Sequence, residues 1–224
     1  MLKRANFSRR KLLGAPIAIG LMGKIALGQP LQKDKVNSNT RLFTFLAGQS
    51  GNWTITRSKT IIGDPWPSAA KLQIIEGRVD LLPQDATWTL RGVTSNERYV
   101  TREEKGILVS KQAALGRPEA THAALIPLRK NSKWWSLTQD ERRAIFEEQS
   151  HHNQIGLKYL PAIARRLHHC RDLAENAPFD FITLFDYAEA DASAFEDLVA
   201  ALRTTEEWKY VDRDIDIRMQ RDNA

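Results

Sequence analysis

Residues 123–173, AALIPLRKNSKWWSLTQDERRAIFEEQSHHNQIGLKYLPAIARRLHHCRDL, hold four of the chain's five histidines, its only cysteine and an adjacent pair of its tryptophans. The groups that could do chemistry there are the His151-His152 pair, Arg165-Arg166, the His168-His169-Cys170 run, Trp134-Trp135 and Lys130. A neutral imidazole is a good donor to a transition metal, and a guanidinium is a permanent cation that holds anions through a planar fork. His168, His169 and Cys170 invite a zinc reading, yet three adjacent ligands on a helix point in different directions. Residue type alone makes that run a helix end with surface histidines, Arg165-Arg166 a solvated helix face, and Trp88, Trp134 and Trp135 core aromatics.

Such groups need elements to hold them. Apolar and polar residues alternate at Leu42–Ala47, Trp53–Arg57, Lys71–Ile75 and Trp88–Thr94, predicting strands separated by Gly, Asn, Pro and Ser clusters. A helix is expected over Arg102–Leu115 and a short strand over Ala123–Leu128. Helical pattern then runs from Thr138 to Gln149, opened by a Thr138/Glu141 capping box, and again from Gln154 to Leu167. Strand Phe179–Tyr187, helix Ala192–Arg203 and strand Tyr210–Met219 follow. The order strand, helices, strand, helix, strand predicts an α+β fold with a complete ferredoxin-like unit in the second half. The first half reads as a reduced copy, with the antiparallel sheets joined and the helices outside.

The chain carries 33 Lys and Arg against 27 Asp and Glu, but the excess is confined to the front. Residues 1–28 hold Lys3, Arg4, Arg9, Arg10, Lys11 and Lys24 and no acid, so the rest is formally neutral. A nucleic-acid binder needs a lasting basic excess to displace counterions from phosphates, and no such partner is expected. The front has the anatomy of an export signal: the basic stretch, an apolar run from Leu12 to Gly23, then small residues around Ala26-Leu27-Gly28. Ser8-Arg9-Arg10-Lys11-Leu12-Leu13 resembles a twin-arginine motif, the route of proteins exported already folded. The expectation is a leader over 1–28, a polar lead-in over 29–40 and one domain over 41–224, periplasmic and without stable membrane insertion after processing. One cysteine leaves the core, not internal disulfides, to hold that domain together.

Four segments in order, WTLRGVTSNERYV (88–100), the 123–173 stretch, FDFITLFDYA (179–188) and LRTTEEWKYVDRDIDIR (202–218), resemble the chlorite dismutase family. The resemblance covers roughly Trp88 to Arg218. It implies a haem b cofactor in one haem-binding domain, chlorite as substrate, chloride and dioxygen as products, and the family's compact, typically dimeric branch. The family's H-x6-Y-L-x4-R pattern fits when counted from His152, which reaches Tyr159 and Arg165; counted from His151 it reaches Ala164. His152 is therefore the implied iron ligand and Arg165 the group over the iron's open face, where it would hold hypochlorite while the O–O bond forms. Glu207 matches the family's proximal glutamate and Lys130 a lysine of the same network; an acceptor on the second ring nitrogen makes an imidazole a stronger donor. Trp134 and Trp135 are implied to wall the haem pocket and Tyr99 to lie near a propionate.

A straight helix from residue 152 to 165 would separate the two Cα atoms by about 20 Å, long for groups flanking one haem, so a bend is expected at Gly156 or Pro161. The related coproheme decarboxylases carry glutamine in place of Arg165 and a tyrosine in place of Ile126, and dye-decolourising peroxidases a Gly-x-x-Asp-Gly motif absent here. A haem peroxidase or a non-catalytic haem-binding protein on the same scaffold remains the alternative.

Overall fold

A computed structural model describes residues 40–222. The expected leader and nearly all of the lead-in lie outside the described residues. Eight strands run β1 (Leu42–Gly48), β2 (Trp53–Ile62), β3 (Lys71–Glu76), β4 (Trp88–Thr94), β5 (His122–Lys130), β6 (Ala164–His169), β7 (Phe181–Tyr187) and β8 (Val211–Arg221). They close into an antiparallel barrel in the order β1-β3-β2-β8-β5-β7-β6-β4. The helices are α1 (Arg102–Lys111), α2 (Ser132–Ser136), α3 (Gln139–Arg143), α4 (His152–Leu157) and α5 (Ala192–Arg203).

Strand periodicity sorts the side chains into two cores. Phe43 and Phe45 of β1, Leu125 of β5, Ile182 of β7 and Ile215 and Ile217 of β8 fill the barrel. The alternate residues Ile126, Leu128, Phe181 and Phe185 face outward, where Phe195, Leu198, Val199 and Leu202 of α5 cover them. β5 reads as a continuous apolar run because both of its faces are covered. In β8 the outward Asp214 and Asp216 are buried and accept from Arg203 of α5 at 2.9–3.1 Å, which locks the helix to the barrel. The α5 boundaries and the Thr138/Glu141 capping box are those read from sequence.

Two expectations are overturned. The stretch 154–167 is not one helix: α4 ends at Leu157, the chain turns through 158–163, and Ala164–His169 pairs with β7 as strand β6. Nor is His168-His169-Cys170 a helix end with surface histidines. His168 and Cys170 are buried, and His168 lies inside the barrel with edge contacts to Phe43 and Phe45 at ring separations of 5.1 and 5.0 Å. Among the described residues no group of three or more His, Cys, Asp and Glu is placed to hold a metal ion. No described helix is long and apolar enough to cross a membrane.

The enclosed histidine has a cost at low pH. Burial pushes the His168 pKa down to about 4, and the neutral ring donates from Nδ1 to the Ile182 carbonyl at 3.2 Å. A base whose folded pKa lies below its unfolded value protonates first in the unfolded chain. His168 therefore has no effect well above pH 6.5 and destabilises increasingly as pH falls from 6.5 toward 4. A His168→Leu variant should lose less stability than the parent over that window, by on the order of 3 kcal/mol. Parallel melting curves against pH would refute this assignment.

Candidate functional site

Between the outer face of β5-β7-β6 and the layer of α4 and α5 lies a cavity of about 1110 Å3 of empty space, counted to its open mouth. Most of its lining is apolar, with a few convergent polar groups, the composition that suits an organic cofactor. Its walls bring together Tyr99, Lys130, Trp134, His152, Arg165 and Glu207, which are up to 108 positions apart in sequence. Trp135 does not line it. That indole stacks on the back of the wall residue Phe181 with rings 6.0 Å apart, donates to Asp180 Oδ2 at 3.1 Å, and carries the Arg171 guanidinium 4.1 Å from its ring.

At one end, three ionisable groups form a chain. Lys130, at the end of β5, donates from Nζ to Glu207 Oε1 at 2.7 Å, and His152, the first residue of α4, lies with Nδ1 2.7 Å from Glu207 Oε2. Burial alone would raise the Glu207 carboxyl, but the Lys130 charge and the hydrogen bonds from Lys130 and His152 override it and hold the pKa at about 2. An ionised carboxylate only accepts, so Nδ1 carries the proton in this bond and Nε2 is left as the ring's lone-pair donor. The backbone N–H of Glu207 donates to Ser150 Oγ at 2.8 Å, fixing the short 3-10 turn Glu206–Tyr210 that carries it.

The position of His152 follows from an unusual local path. α3 continues into a π-helical turn, Ala144–Gln149, and His151 takes a left-handed conformation, φ +53°, before α4 begins. Non-glycine residues pay for that conformation, and such strain clusters at working sites. His151 itself is exposed and serves as the pivot. Glu147, buried in the π turn, accepts from the Asn153 N–H at 2.7 Å, and Phe146 stacks on the His152 ring at 4.2 Å. Sequence pattern does not reveal Phe146, Glu147 or Ser150 as parts of the site, because a π turn leaves no clear periodic signature.

Tyr99 is the second left-handed residue, φ +62°. Arg143 donates to its carbonyl and is itself held by Glu104 of α1 through bonds of 2.8 and 3.0 Å. Three buried donors of the cavity wall, Tyr99 Oη, Trp134 Nε1 and Asn153 Nδ2, have no partner among the described residues.

Arg165 stands on the opposite wall. It pairs with Phe185 in the β6-β7 ladder and projects into the cavity, while Arg166 turns inward and lies 4.0 Å over the Phe43 ring. Burial lowers the Arg165 pKa, and among the described residues no carboxylate acts to raise it. A half-buried cation without a counter-charge carries a desolvation cost, and an arriving anion would relieve it.

A family model described as Chlorite dismutase matches residues 82–221. A chlorite dismutase of Ideonella dechloratans is 31% identical over 133 residues, 56% of this chain. The match spans 42% of that relative's length. A crystal structure of dimeric chlorite dismutase from Nitrobacter winogradskyi is 54% identical, with a TM-score of 0.74, covering 80% of this chain and 99% of that one. A mutant chlorite dismutase from Candidatus Nitrospira defluvii, 19% identical with a TM-score of 0.59, covers 84% of this chain and 94% of that one, a likeness of fold alone.

Proposed function

The chain belongs to the chlorite dismutase family, and from that premise we propose that it is a haem b enzyme converting chlorite to chloride and dioxygen. One observation carries the reading: a guanidinium without a carboxylate, Arg165, faces the same cavity as an imidazole whose Nδ1 is already engaged by Glu207. The residues present fit haem. His152 Nε2 is a neutral donor, and the orphaned Tyr99 Oη and Trp134 Nε1 offer hydrogen bonds to carboxylates such as propionates. Apolar Leu128, Ile163, Phe181, Phe185, Leu198 and Val199 supply a dry surround for a macrocycle.

Haem iron would supply the redox chemistry at chlorite. The protein's own share is electrostatic and steric. Glu207, ionised and buried, orients His152 and makes it more basic, and Lys130 keeps that carboxylate charged. Arg165 would bind the incoming anion and keep anionic species from leaving the cavity while the haem supplied its chemistry. Ile126, on the same wall, has no proton to give, which favours this chemistry over a decarboxylation that uses a tyrosine at that position.

Three broader features belong to the same proposal. The strand orders β8-β5-β7-β6 and β4-β1-β3-β2 support two ferredoxin-like units, the first lacking crossover helices. A homodimer is supported by the dimeric Nitrobacter winogradskyi relative. Periplasmic location after twin-arginine export rests on the pattern within residues 1–28.

The deciding experiment is oxygen evolution from chlorite by the purified, haem-loaded protein under anaerobic conditions, followed with an electrode and a visible spectrum. Rapid oxygen release with stoichiometric chloride supports the proposal; a haem spectrum without oxygen shifts it to a peroxidase or haem-binding role. The Arg143 strut gives a separate check. Arg143→Met removes the brace on Tyr99, and haem transfer to an acceptor apoprotein should quicken about 10-fold, the worth of one charge-assisted hydrogen bond. An unchanged transfer rate would remove Tyr99 from the haem site.

A further inference from the structure

Asn96 and Arg98 wall not only the central cavity but also an open groove outside it, shared with Arg41, Thr94, Ser95 and Glu97. The loop carrying them is fastened to β6 at one residue: the Ser95 N–H donates to the Leu167 carbonyl and the Leu167 N–H to Asn96 Oδ1, both at 2.8 Å. Leu167 and Arg165 project from the same face of β6, two residues or about 7 Å apart. The groove therefore meets the cavity on the Arg165 wall.

Its unpaired charge is of one sign. Arg98 donates from Nε to Ser95 Oγ at 3.3 Å, with its guanidinium 5.6 Å from the ring of Phe181 on the cavity wall. Arg41 donates to the Thr94 carbonyl. Among the described residues neither arginine is in an ion pair, and the one acid of the groove, Glu97, is taken by Lys105 at 2.7 Å. The field of Arg98 reaches β6, where, after burial, it is the next influence holding the His169 pKa down. A cleft lined by uncompensated cations concentrates small anions and speeds their arrival.

We propose that this groove is the entrance for the anionic substrate and that Arg98 is its gating cation, passing a small monovalent oxyanion over Phe181 and Leu167 to Arg165. The inference rests on the proposed chlorite chemistry only for the identity of the anion. The test uses the full haem-loaded protein and two probes: azide, whose association with ferric haem is read by stopped-flow, and chlorite, read as kcat and KM against ionic strength. In Arg98→Gln the azide on-rate and kcat/KM should fall about 5-fold at low salt, with kcat changing less than twofold. The gap should close at high salt, and Arg98→Lys should restore most of it. Arg78→Gln, which removes one exposed charge in the β3–β4 loop, should leave both rates at the parent's values. An Arg98→Gln on-rate equal to the parent's at every salt concentration overturns the proposal. So does a loss accompanied by faster haem release, which would place Arg98 on a cofactor carboxylate. Arg98-dependent azide entry in a parent that evolves no oxygen from chlorite would uphold the entrance while sinking the chlorite reading.

Discussion

Arg165→Ala should fold, bind haem, and lose at least about 100-fold in kcat/KM for oxygen release from chlorite. The size follows from what one preorganised charge contributes at a dry site, commonly 10²–10³-fold. The direction follows from the cavity, where burial lowers the Arg165 pKa and no carboxylate compensates the cation. Removing it should relieve a desolvation cost, so the variant's melting temperature is expected to hold or rise. Anion retention should fail in parallel: a hypochlorite trap in solution should take up far more product from Arg165→Ala than from the parent, and the variant's haem should bleach within fewer turnovers. Arg165→Lys keeps the charge without the planar fork and should fall between the two. Equal leakage and equal turnover in parent and alanine variant would show that Arg165 does not hold the oxychlorine fragment.

Glu207→Ala should damage both fold and cofactor binding. Lys130 is buried, with Nζ bonded to the Glu207 carboxylate at 2.7 Å, and deletion of that partner strands a charge in the core. Breaking a buried pair from one side costs about 3–5 kcal/mol, roughly a 10 °C fall in melting temperature for a chain of this size. His152 simultaneously loses the acceptor that orients its ring, an outer contact typically worth 10–100-fold in metal affinity. The two effects separate in a Lys130→Met/Glu207→Leu double variant. That protein should recover much of the stability, since no charge is stranded, yet hold haem as weakly as Glu207→Ala. A double variant that regains parental haem affinity would reduce Glu207 to a counter-ion for Lys130.

Much of the strand framework was legible because its periodicity is strong. β4 and α5 occur where alternation and the helical repeat place them, and the Thr138/Glu141 box forms as local chemistry requires. The segment 154–167 misled because Ile163 and Leu167 are spaced like neighbours on a helix face, while Arg165-Arg166 has the look of a solvated surface. Pairing with β7 decided otherwise: in a strand the two arginines must face opposite ways, one into the cavity and one into the barrel. The histidine run changed meaning for the same reason, His168 turning inward and His169 outward.

The sequence by itself determined the inventory, one cysteine and a formally neutral body, and the family's spacing pattern, applied to it by resemblance, singles out His152 with Arg165 over His151 with Ala164. Resemblance also singles out Lys130 and Glu207, 77 residues apart. Only the tertiary structure decided that these groups share one cavity, that Trp134 lines it while Trp135 backs it, and that Phe146, Asn153 and Arg98 belong to its walls. Residue type and spacing are local properties, whereas which side chain faces the cavity depends on strand register and on barrel closure, which join residues far apart in the chain.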